Sequence, residues 1–99
     1  MKAKRVYISG AISGRTLEAA HLQFGLYETK LHQQGYKTIN PTRLCPSWLP
    51  WSLCMIVDII ALKFCDAICQ LPGWEQSNGA NIEYHFAKQF NCEVLSVRC

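Results

Sequence analysis

The 99-residue chain is short of charge: Asp, Glu, Lys and Arg make up 17% of it, and the net charge is only +3. A chain so thinly charged, with 49% hydrophobic residues, folds into a core rather than remaining disordered. The one basic cluster is Lys2-Ala3-Lys4-Arg5, which reads as a solvated terminus and predicts no nucleic-acid polymer as partner. No apolar run approaches the ~20 residues that span a bilayer, so no membrane partner is expected. The basic start is followed by only Val6-Tyr7-Ile8 before Ser9-Gly10, whereas a secretory leader needs roughly 7–15 apolar residues. A cytoplasmic location is therefore expected. Neither a GxGxxG fingerprint nor a Walker loop is present, which excludes dinucleotide and P-loop readings.

Zinc spacing is also missing. Cys45, Cys54, Cys65, Cys69, Cys92 and Cys99 include no CxxC pair, and His21, His32 and His85 do not complete one. Reduced, mostly buried cysteines are the favoured reading. Three disulfides or a metal site remain the alternatives. No metal and no cofactor are expected.

What is present alternates between two periods. Residues 4–9 contain Val6, Tyr7 and Ile8 and predict a strand. Thr16 can cap a helix in which Leu17, Ala20, Phe24, Tyr27 and Leu31 recur at helical spacing, and Gly35 can end it. Residues 36–39 predict a second strand, stopped by Asn40-Pro41. A loop with two further prolines leads to a helix over 51–64, with Ser52 as its candidate cap. Strand 66–71, helix 78–90 and strand 93–97 complete a βαβαβαβ order. Such alternation predicts a four-stranded, mainly parallel sheet with helices on both faces, in one domain over residues 1–99. One core of this size is modest, so a homo-oligomer is a natural way to gain burial.

Ligands bind outside the carboxyl ends of strands in such sheets. That rule selects residues 9–15, 40–51 and 71–83. In the first, Ser9, Gly10, Ile12, Gly14 and Arg15 follow a strand and precede a helix. Glycines admit close approach, free N–H groups suit an anion, and Arg15 can add charge-assisted bonds to a phosphate. In the third, Gly73 and Trp74 open a loop, Ser77, Gly79 and Ala80 start a helix, and Glu83 lies about one turn inside it. An isolated glutamate there would ordinarily be an exposed first-turn residue favoured by the helix dipole. Asp58 lies within an apolar helical stretch, as a pocket carboxylate or part of a polar stripe. Asp66 is expected to orient a turn. Trp48, Trp51 and Trp74 can stack on a base or pack in an interface.

The Tyr7-Ile8-Ser9-Gly10-x-Ile12-Ser13-Gly14 start, Asn40-Pro41, the stretch 51–58 and Cys65-Asp66-Ala67-Ile68 form one set of matches. The run from Leu71-Pro72-Gly73-Trp74 through Ser77-Asn78-Gly79-Ala80 to Glu83 is the most specific. Together they resemble the nucleoside 2-deoxyribosyltransferase-like family, in its branch of small bacterial and phage proteins, over nearly the whole chain. The resemblance implies a small flavodoxin/Rossmann-like three-layer fold and a homo-oligomer whose pockets are completed by neighbouring subunits. It implies that Glu83 is a nucleophile that attacks the anomeric carbon, with Tyr7 positioning it. Substrate contact is then expected at Ser9, Gly10, Ile12, Gly14, Arg15, Asn40, Trp51, Asp58, Gly73, Trp74, Ser77, Gly79 and Ala80. The transferases carry aspartates where this chain has Pro72 and Ser77. The related 2-deoxynucleoside 5′-phosphate N-hydrolases have a serine at the latter position and a similar first loop. A nucleoside monophosphate is thus the preferred ligand. Glu75 and Asp58 are the carboxylates available as general acid. The expected function is cleavage or transfer at an N-glycosidic bond. A nucleotide-binding module without turnover and an interaction protein using the three tryptophans are the alternatives.

Overall fold

A computed structural model describes residues 4–10, 17–44 and 48–95. Its elements are β1 (Arg5–Ser9), α1 (Leu17–Gln33), β2 (Lys37–Ile39), a 3-10 turn (Pro41–Arg43), α2 (Trp51–Lys63), β3 (Ala67–Gln70), a second 3-10 turn (Trp74–Gln76), α3 (Asn78–Gln89) and β4 (Glu93–Leu95). The strands form one parallel sheet of order β2-β1-β3-β4. The predicted three-layer α/β fold is the observed one.

Strand alternation divides the core. Val6 and Ile8 of β1, with Ala67 and Cys69 of β3, pack against Phe24, Tyr27 and Leu31 of α1. Tyr7 and Ile68 face the other way, toward Leu62 of α2 and Ala87 of α3. β1 is therefore central and buried on both faces, as a near-continuous apolar strand requires. The chain runs from β1 to β2 on one side and returns by α2 to β3 on the other. This reversal creates a topological switch point at the carboxyl ends of β1 and β3.

Several boundaries differ from the predicted ones. Tyr36 precedes β2, and Asp66 and Leu71 flank β3. Asp66 instead accepts a hydrogen bond from the Arg5 backbone N–H at 3.0 Å, tying the two strand starts together. Ser52 does not cap α2. Pro50 does so through its backbone, with no side-chain cap, and its carbonyl accepts from the Leu53 and Cys54 amides. Thr16, 96 and 97 lie outside the described residues. An unforeseen network fixes the β2 edge: buried Glu28 pairs with Arg43 at 2.9 Å and accepts from Thr38 at 3.1 Å.

Two helices end in the left-handed residue that releases their last carbonyls. At α1 it is Gly35 (φ +90°), with the Tyr36 amide donating to the Leu31 carbonyl and the Gly35 amide to the His32 carbonyl. At α3 it is Asn91 (φ 60°), with Cys92 donating to Ala87. A Cβ at Gly35 would meet nothing within 4 Å, so its only cost is the backbone's. Gly35→Ala should therefore lower stability by about 1 kcal/mol in urea denaturation, while Asn91→Gly leaves it unchanged or slightly raised. Equal stability of Gly35→Ala and the parent would contradict this account.

Candidate active site

Period two places Tyr7 and Ser9 on the same face of β1, the face covered by α3. α3 is started by Ser77, whose side chain accepts from the Ala80 amide at 3.2 Å. Ala80, Glu83 and Ala87 form its buried stripe at helical spacing. Small residues on either side of Glu83 let α3 approach the sheet, so the carboxylate reaches β1 instead of solvent. The Tyr7 hydroxyl donates to Glu83 Oε2, and Ser9 Oγ donates to Oε1 at 2.8 Å. Glu83 is 4% exposed, so the ordinary fate of a first-turn glutamate does not apply.

α2 brings the second carboxyl. Met55, Asp58 and Leu62 are its buried residues, one helical stripe directed inward. Asp58 Oδ1 is buried without a hydrogen-bond partner among the described residues. Burial pushes the Asp58 carboxyl up to about 7. Burial also raises Glu83 to about 7, with the Tyr7 and Ser9 hydrogen bonds opposing the rise and the Asp58 charge adding to it. The Tyr7 phenol is pushed well above its usual range, first by burial and then by the charges of Glu83 and Asp58. Two buried carboxyls thus lie within electrostatic reach of each other. Glu83 receives two donors that favour its ionised form. Asp58 Oδ1 receives none among the described residues, and burial favours the neutral acid there.

The remaining predicted residues sort by what they touch. Gly10 is buried, and a Cβ there would come 3.0 Å from Leu71 Cβ, so glycine allows the ends of β1 and β3 to meet. A Cβ at Gly79 would lie 3.3 Å from Met55 Sδ and 3.9 Å from Trp51 Nε1. The space left by Gly79 is therefore occupied by α2's own side chains. Trp51 stands at the mouth of this α2–α3 seam and is exposed. Asn40 is buried, and its Oδ1 accepts from the Thr42 amide at 3.0 Å and hydroxyl at 2.6 Å, which closes the first 3-10 turn. Gly73 (φ +86°) turns the chain into the second. Trp74 packs on Tyr84 with centroids 5.0 Å apart. Because Tyr84 follows Glu83 by one residue, about 100° around the helix, Trp74 lies on the flank of α3 rather than beside the carboxylate. Glu75 is exposed in that turn, where its carbonyl accepts from Asn81. Ile12, Gly14 and Arg15 lie outside the described residues.

The cysteines contribute packing. Cys54, Cys65, Cys69 and Cys92 are free thiols, and burial pushes Cys65 up to about 12. Cys45 and Cys99 lie outside the described residues. Among the described residues no group of three or more His, Cys, Asp or Glu side chains is placed to hold a metal ion. The sequence reading missed Met55 and Gln70. The signal for Gln70 was a polar residue at the end of an otherwise apolar strand, on the same face as Tyr7 and Ser9.

Folding makes both site carboxyls hold a proton more tightly. Their contribution to stability is complete in acid and is lost as the pH rises from the ordinary values of 3.8 and 4.5 through about 7. Urea denaturation of the parent and of Glu83→Gln across this window should show a shallower fall in the variant. Parallel curves would mean that Glu83 is solvated in the folded chain.

The fold is shared with solved structures. The Clostridium botulinum CMP N-glycosidase BcmB superposes with a TM-score of 0.65 at 22% identity, over 94% of this chain and 67% of that one. The solution structure of BlsM gives a TM-score of 0.70 at 20% identity, over 95% of this chain and 64% of that one. The chain thus spans about two thirds of the length of each. No curated protein sequence matches it. Residues 4–96 match the family described as Domain of unknown function (DUF4406), and the chain belongs to that family.

Proposed function

We propose that the protein cleaves the N-glycosidic bond of a nucleoside or nucleoside 5′-monophosphate, with Glu83 as nucleophile and Asp58 as proton donor. The observation that carries this reading is the buried, doubly held Glu83 carboxylate beside an unpartnered buried Asp58, at the switch point of the sheet. A fold shared with a CMP N-glycosidase supports it, as does the resemblance to the nucleoside 2-deoxyribosyltransferases. Residues 1–99 are read as one domain of that kind, in a cytoplasmic protein. No described helix is long and apolar enough to cross a membrane.

In the first step the Glu83 carboxylate attacks C1′. A glycosyl ester forms, the C1′–N bond breaks, and the Asp58 proton passes to the departing base. In the second, water attacks C1′, its proton goes to the Asp58 carboxylate, and the ester opens to free Glu83. A second base in place of water would give transfer. Tyr7 and Ser9 hold the carboxylate at one angle, so its attack requires no search among rotamers. Asp58 is preferred to Glu75 as acid because Asp58 is buried within electrostatic reach of Tyr7 and Glu83, whereas Glu75 is exposed. The 5′-phosphate role falls to residues 10–15, with Arg15 as the cation. Ser77 and Gly79 serve chiefly to start α3 and to seat α2.

Purified protein is incubated with nucleosides and nucleoside monophosphates, and released base is followed by chromatography. Glu83→Gln should abolish release, and Asp58→Asn should lower kcat by about 10²–10⁴. Parental turnover in Glu83→Gln would overturn the nucleophile. Tight nucleotide binding without release would favour the binding module, a reading supported by the absence of aspartates at Pro72 and Ser77.

The outer side of α2 completes the proposal. Leu53, Ile56, Val57, Ile60 and Phe64 form an exposed apolar stripe opposite the inward Asp58, with the exposed Lys63 at its edge. A helix apolar on its outer as well as its inner side is normally covered. A second copy of this chain, related by a two-fold axis, offers an identical apolar stripe. Light scattering should find a dimer, and Ile60→Glu should give a folded monomer. A monomeric parent at high concentration would remove this interface.

A further inference from the structure

Gln70 stands at the carboxyl end of β3, in register with Ser9 of β1. Its neighbours Cys69 and Leu71 face α1, so alternation turns Gln70 to the face that carries Tyr7, Ser9 and Glu83. The residue is half-buried, but its Nε2 is fully enclosed and has no hydrogen-bond partner among the described residues. Buried donors are normally satisfied, so an orphan at a strand end beside a nucleophile marks a group that a ligand completes. The Tyr7 and Ser9 hydroxyls give their protons to Glu83, and neither oxygen accepts from Gln70 Nε2.

Stereochemistry narrows what that ligand group is. In a β-nucleoside the base lies on one face of the sugar, and the nucleophile attacks C1′ from the other. The 2′-hydroxyl of ribose lies on the attacked face, on the carbon next to C1′. A side chain beside the nucleophile therefore meets that hydroxyl, whereas the base lies across the ring. A hydroxyl accepts from the carboxamide and keeps its own proton to offer to the Glu83 carboxylate. In glycosidases, bonds at this hydroxyl strengthen in the transition state.

We propose that Gln70 selects the sugar: its carboxamide binds the 2′-hydroxyl of a ribonucleoside, so that ribose is preferred to 2′-deoxyribose. This rests on the nucleotide reading of the site and adds the sugar class. A leucine would fill the same strand position without the donor. Arabinose carries its 2′-hydroxyl on the opposite face and should behave like the deoxy sugar, while 3′-deoxyribose should behave like ribose.

The test uses nucleoside 5′-monophosphates of each base with ribose, 2′-deoxyribose, 3′-deoxyribose or arabinose. kcat/KM is measured for the parent and for Gln70→Leu, and binding is measured by calorimetry in both. Gln70→Met serves as a second apolar variant, and circular dichroism checks the fold of each. The parent should favour ribose over 2′-deoxyribose and arabinose by about tenfold or more, the worth of one buried hydrogen bond. Both variants should bring the ratio close to one while the 2′-deoxy value stays near the parent's. An unchanged ratio, or a loss confined to the 3′-deoxy sugar, overturns the assignment. If base release is absent but binding retains a ribose preference that Gln70→Leu erases, the reaction falls and the sugar assignment stands. If no nucleotide binds, both fall.

Discussion

A carboxylate buried against the central strand is the constraint around which the rest is arranged. Removing an ionised carboxyl from water costs several kcal/mol even after the surroundings relax. Here the cost is offset by two hydroxyl donors on one strand, each making a charge-assisted bond stronger than a neutral one. The offset is incomplete, as the rise of Glu83 to about 7 shows. That residue of unfavourable energy is what a reactive carboxylate needs: a group fully satisfied by its own protein has little reason to attack anything else.

Other features follow from keeping this contact dry. Ala80 and Ala87 must be small for α3 to lie on the sheet. The absence of a Cβ at Gly79 lets Met55 of α2 pack closely on the start of α3. Gly10 must lack one for the ends of β1 and β3 to come together. α2 then has two duties that divide its surface. Its inner stripe delivers Asp58 to the same enclosed layer, and its outer stripe is left as apolar as a core. Among the described residues, the buried side-chain polar atoms without a hydrogen-bond partner are Asp58 Oδ1 and Gln70 Nε2. A site with opposite unsatisfied polarities is suited to hydroxyls and to a proton in transit.

Much of the fold was legible in the residues. The strand and helix periods, the stop at Gly35 and the alternating order depend on local geometry and side-chain spacing, and the structure agrees with them apart from strand ends and one cap. The α2 cap misled because Ser52 has the right chemistry two positions too late, after Pro50 had already set the helical start. The partner of Trp74 was not legible: Tyr84 is met only when the turn is folded back onto α3.

By itself, the sequence determined which residues could share a face: Tyr7 with Ser9, Asp58 with Met55 and Leu62, and Glu83 with Ala80 and Ala87. Periodicity is a property of the backbone and needs no partner. Only the tertiary structure decided which of these faces meet. It brought Glu83 onto Tyr7 and Ser9, Asp58 to the same layer rather than a polar surface, and Gln70 into register with Ser9. Those encounters depend on strand order and on how closely two helices pack. The meetings of Tyr7 and Ser9 with Glu83, and of Ser9 with Gln70, join residues more than sixty positions apart, for which local spacing carries no information.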